Sequence, residues 1–127
     1  MSALGEKVYI RLTTYPATAA LIGNRCYPQV LPQDPTLPGV VYEVLPGDTS
    51  AGNGLIMTSR LRITAWAETK PESVEVAGAV QAALRQHQDR ASLPQLIGCM
   101  DESNFDVYDP DTGLFGVTVD FIATLVQ

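Results

Sequence analysis

The sequence predicts an α+β domain: a mainly antiparallel four-stranded sheet with helices packed on one face, in the order α-β-β-α-β-β. Three observations lead there. Leu61, Ile63, Ala65 and Ala67 alternate with Arg60, Arg62, Thr64 and Trp66, and Phe115 to Leu125 repeat that period. Leu4, Val8 and Leu12, and later Val76, Val80 and Leu84, are spaced as one face of a helix. Two strand pairs, each preceded by a helix, close most simply as antiparallel hairpins.

The elements follow in order. The first helix is expected to reach Thr14, because Pro16 biases its predecessor away from helix. A short helical turn then starts at Pro16 and stops at Gly23-Asn24. Residues 24–38 hold Pro28, Pro32, Pro35 and Pro38 and read as an extended connector with little regular structure. Val40 to Leu45 is rich in β-formers, and Pro46-Gly47-Asp48 ends it. The small, polar stretch from Gly47 to Gly54 joins it as a long hairpin loop to the strand at Leu55 to Ala67. Thr69-Lys70-Pro71-Glu72 has the form of a capping box, opening a helix that runs to about Gln88. A strand from Gln95 to Tyr108 turns at Asp109-Pro110-Asp111-Thr112-Gly113, where Pro sets φ and Gly supplies positive φ. The last strand is Phe115 to Val126.

A chain of 127 residues fits one domain, residues 1–127, with a core that needs no staples. Charged residues make up 17%, which is low for a monomer's surface and points to some surface being covered by a partner. The net charge of -6 argues against duplex nucleic-acid binding, which depends on Lys and Arg against phosphate. It is compatible with DNA sliding past an acidic wall. Cys26 and Cys99 form no CxxC pair and read as two half-buried thiols rather than a disulfide. The start shows no basic region followed by an apolar run, and no stretch is long and apolar enough to span a bilayer, so a cytoplasmic, membrane-free protein is expected.

The local strings then resemble those of the tail-completion, or tail-terminator, family of bacteriophages with long non-contractile tails, also found in prophages and gene transfer agents. Four strings carry the resemblance, in the family's order and spacing: Ala20 to Pro28, Leu37 to Tyr42, Arg60 to Ala67, and Tyr108 to Phe115 followed by Val119-Asp120-Phe121. Gly39 stands where an aromatic is usual, and Gly116-Val117 where basic residues are common. The resemblance implies a homo-oligomeric ring, usually of six subunits. Such a ring caps the head-proximal end of the tail tube, stops its polymerisation and meets the head-tail connector protein, while DNA passes through its lumen. It also implies a place in the virion tail after assembly in the host cytoplasm.

No catalytic chemistry competes with that reading. The single histidine, His87, falls at a predicted helix end as an exposed polar tail, without a nucleophile and orienting acid around it. There is no GxSxG, HExxH, P-loop or GxGxxG. Asp106, Asp109 and Asp111 lack a full Ca²⁺ loop and its bidentate Glu, and read as an acidic turn. Neither a cofactor nor a metal is expected. Arg60, Arg62 and Trp66 share one strand face, and Arg and Trp are favoured interface anchors. With the tip at Asn53, and with Leu55, Ile56 and Met57 closing the loop 47–56, they are the candidate contact residues. The alternative is a small ferredoxin-like α+β domain that binds a ligand or regulates, with convergent polar groups in a pocket.

Overall fold

The computed structural model describes residues 3–45, 49–50, 56–85, 87–91 and 95–126. Those residues form three helices and six strands: α1 (Ala3–Thr14), α2 (Pro16–Ile22), β1 (Cys26–Pro28), β2 (Gly39–Leu45), β3 (Thr49–Ser50), β4 (Ile56–Ala67), α3 (Lys70–Leu84), β5 (Gln95–Asp109) and β6 (Leu114–Val126). The strands make one mixed sheet in the order β1-β2-β4-β6-β5, with β3 against the start of β4.

This corrects the expected four-stranded sheet and its α-β-β-α-β-β order. The turn at Pro16 is a separate helix. The proline-rich connector contains β1, which runs parallel to β2 with Cys26 opposite Val40. Three residues ending in proline carry no alternation to read. They become a strand because a neighbouring edge supplies partners: the Val40 amide donates to the Arg25 carbonyl and the Gln29 amide to that of Tyr42. The expected hairpin loop also begins with β3, whose Thr49 lies opposite Met57.

All three helices feed one core against one face of the sheet. Leu4, Val8 and Leu12 of α1, Ile22 of α2 and Val76, Val80 and Leu84 of α3 meet Leu61 and Ile63 of β4 and Val119 and Phe121 of β6. Full burial of each such side chain is worth roughly 1.5–3 kcal/mol. The joint between α1 and α2 is held by a buried hydroxyl: Thr18 Oγ1 donates to the Leu12 carbonyl at 2.6 Å. That satisfies one of the carbonyls left open at the end of α1. Cys26 and Cys99 are buried and unlinked, and burial pushes both thiols up to about 12. They pack as small apolar residues at neutral pH.

The capping residue of α3 is Thr69, whose hydroxyl accepts the Glu72 amide at 3.4 Å. The helix stops at Leu84, short of Gln88, where the Arg85 backbone turns extended. Arg85 Nη2 donates to Asp101 at 2.7 Å, and the backbone of Asp89 bridges Leu96. Asp89 also pairs at 3.1 Å with Lys7, a buried lysine on α1. His87 is therefore not an exposed helix tail. It is half-buried and feels the charges of Arg11 and Lys7 on α1 and of Asp89.

Two outcomes follow from this packing. Phe121→Ala should cost about 3–5 kcal/mol in urea unfolding, and Thr69→Ala about 1 kcal/mol. Burial, followed by the nearby Arg11 charge, holds His87 below its usual pKa of 6.5, with Asp89 pulling the other way. The unfolded chain therefore binds the extra proton first. The His87 contribution is complete above about pH 6.5 and is lost as pH falls through the lower folded value. His87→Gln should flatten the fall in stability just below that pH, measured by urea titration at several pH values.

Candidate docking face

Strand alternation divides the sheet into two chemically different faces. On β4, Ser59, Leu61, Ile63, Ala65 and Ala67 are buried beneath the helices. Arg60, Arg62, Thr64 and Trp66 point the other way, where the described residues place no helix. The same face of β6 brings Gly116, Thr118, Asp120 and Ile122 into register with Trp66, Thr64, Arg62 and Arg60. From β5, Met100, 69% exposed, and Phe105, 47% exposed, extend the face outward.

The two arginines are engaged within the chain. Arg62 grips Asp120 with both arms of its fork, Nε to Oδ1 at 3.0 Å and Nη2 to Oδ2 at 3.2 Å. That hydrogen bond raises the Arg62 pKa above its ordinary value. Its guanidinium carbon also lies 5.9 Å from the Phe105 ring centre. Arg60 reaches Glu102, an extra residue at a bulge in β5, at 2.6 Å. The cations thus hold β4 to β6 and β5, and what they present outward is a flat, paired surface with apolar residues between the pairs.

Trp66 has glycines on both sides. Gly39 of β2 and Gly116 of β6 are its cross-strand partners. A Cβ added at Gly116 would lie 3.0 Å from Trp66 Cε3 and Cζ3 and 3.2 Å from Thr64 Cγ2. The indole ring can lie against β6 only because nothing projects there. The two glycines that break the sequence strings at 39 and 116 flank this ring.

Of the other sequence-predicted contact residues, Ile56 is partly exposed at the start of β4 and Met57 is half-buried beside it. Their register sets them opposite Ser50 and Thr49 on one side and Val126 and Leu125 on the other. Asn53 and Leu55 lie outside the described residues. Ile56 is on the same face as Arg60, Arg62 and Trp66, but at the far end of β4. Sequence reasoning missed Phe105, Met100, Asp120 and Glu102, because β5 loses its alternation at bulges near Ile97 and Glu102. The alternating run of β6 did hold a signal for Asp120: it places an acid on the polar face of a strand.

Among the described residues no group of His, Cys, Asp and Glu could hold a metal ion. Asp106 pairs with Lys70, and Asp109 Oδ1 accepts the Asp111 amide at 3.0 Å, as an acidic turn requires. Among the described residues no helix is long and apolar enough to cross a membrane.

Residues 6–125 match the family described as tail completion protein gp17, and the chain belongs to that family. Among solved structures it is similar to a chain of the "Virion of native gene transfer agent (GTA) particle", at 21% identity and a TM-score of 0.80 over 98% of this chain and 96% of that one. That likeness is one of fold. A search of curated proteins finds no match. The protein is a tail-assembly component of the completion and terminator class. Its place is the head-proximal region of the virion tail, where it works with the tube and connector machinery.

The Trp66 slot can be tested directly. Gly116→Ala should displace the indole, shift its fluorescence to longer wavelength and cost about 1 kcal/mol, at the lower end for overpacking. Unchanged emission would show that the ring does not lie against β6.

Proposed function

We propose that the chain closes a homo-oligomeric ring, of six copies, on the head-proximal end of a tail tube and so stops further addition of tube subunits. The reading rests chiefly on the uncovered face of β4, β6 and β5 in a member of a tail-completion family. Head-to-tail contacts between copies close into a ring when the rotation per subunit divides a full turn. One rim of such a ring matches the last layer of tube subunits, and the other is presented to the head-tail connector protein.

Arg60, Arg62 and Trp66, with Ile56 at the end of β4, are the proposed contact surface, and Met57, which alternates to the other side of β4, borders it. Asn53 and Leu55 extend it along the sequence. Because Arg60 and Arg62 are paired internally, their part is to hold the surface flat, while Trp66, Ile56 and the exposed apolar residues of β5 supply desolvated area. The chain carries a net charge of -6, so a ring of copies is strongly acidic. Acidic side chains lining its lumen would repel phosphate and leave DNA free to slide.

Ile56→Glu tests this reading. It should change folding stability by less than about 1 kcal/mol, because Ile56 is already partly exposed. It should also lower the yield of intact particles about tenfold and leave tubes of uneven length in electron micrographs. Full yield with tubes of uniform length would argue against this surface as the contact.

A further inference from the structure

Residues 29–37 cross one end of the open sheet face as a strap and leave a groove of about 830 Å³ beneath them. Val30 of the strap is 72% exposed. Prolines restrict φ at positions 32 and 35, and Gln29 and Asp34 hold the left-handed region at φ 67 and 51 without being glycine. Such conformations cost about 1 kcal/mol or more each and gather at ligand clamps.

The charge of the groove is one-sided. Among the described residues, Asp34, Glu43 and Asp109 line it, against the single cation Arg62. That cation is already held by both oxygens of Asp120. The groove therefore combines carboxylates with no matching positive charge and the half-buried Trp66 ring. A cationic side chain entering along apolar walls meets both a carboxylate and an aromatic face.

We infer that this groove takes an extended peptide segment of a partner protein, bearing lysine or arginine between apolar or proline residues. Clefts of this volume suit a few residues of chain, and a groove between a sheet face and a proline-restricted strap suits an extended one. The inference rests on the open face being a docking surface and adds the chemistry of what docks at its Trp66 end.

The test uses the full chain and the hexapeptide Pro-Leu-Lys-Pro-Leu-Lys, with Pro-Leu-Glu-Pro-Leu-Glu as its acidic counterpart. Trp66 is the sole tryptophan, so its emission reports on the groove. The lysine peptide should change that emission saturably and bind at least about tenfold more tightly than the acidic one. The double variant Asp34→Asn, Glu43→Gln should unfold at the same temperature as the parent and lose that preference. Equal responses to both peptides, no saturable response, or unchanged binding by the folded variant would each overturn the inference. So would concentration-dependent self-association that the same variant abolishes, because the occupant would then be a second copy. A wild-type chain that caps tail tubes but ignores the lysine peptide sinks this inference alone. One that binds the peptide and caps no tube sinks the ring reading alone.

Discussion

β4 and β6 are hydrogen-bonded along their whole lengths, from Ile56 opposite Val126 to Ala67 opposite Phe115. Within that ladder, Leu61 faces Phe121 and Ile63 faces Val119, and all four are buried beneath the helices. A slip of β6 by one residue would carry Val117, Val119, Phe121 and Leu125 into solvent and bring Asp120 into the core. At roughly 1.5–3 kcal/mol for each buried apolar side chain, against a total stability of about 5–15 kcal/mol, the domain could not tolerate that register. The same ladder sets the outer face, since Arg62 can grip Asp120 only when Ile63 faces Val119.

Polar groups inside the fold are placed to end or join elements. Thr18 closes the end of α1, Thr69 opens α3, and Arg25 reaches from the end of α2 to the Leu21 and Pro38 carbonyls. Lys7 carries its charge into the helix layer and meets Asp89 there. Such a pair contributes little net stability, because desolvation offsets the attraction, but losing one partner would strand a buried charge. Among the described residues no buried side-chain nitrogen or oxygen lacks a hydrogen-bond partner. The inner half of the molecule is thus closed, and the features that remain for function lie on the other side of the sheet.

That side suits a docking role. Its charges are paired across strands, so a partner meets little uncompensated charge until it reaches the strap. Its apolar residues are spread over three strands rather than gathered in a deep pocket. This favours a broad protein-protein contact and disfavours the ligand-binding alternative, which expects convergent polar groups. The acidic groove at the Trp66 end is the exception, and it is also where the chain departs from its family's strings, at Gly39 and Gly116.

Much of this was legible in the sequence. Period-two alternation in β4 and β6 and four-residue spacing in α1 and α3 identified the main elements, because burial on one face leaves that signature in any chain that folds this way. The strings from Ala20 to Phe121 identified the family, and the Arg60, Arg62 and Trp66 face was visible from alternation alone. The sequence could not show β1, β3 or the early end of α3, because each exists through partners distant in the chain: Val40 for Cys26, Met57 for Thr49, and Asp101 and Leu96 for the residues after Leu84. Nor could it show that Arg60 and Arg62 are internally paired, or that Gly116 in the neighbouring strand makes room for Trp66. Periodicity records which way a side chain points; only the register between strands decides what it meets there.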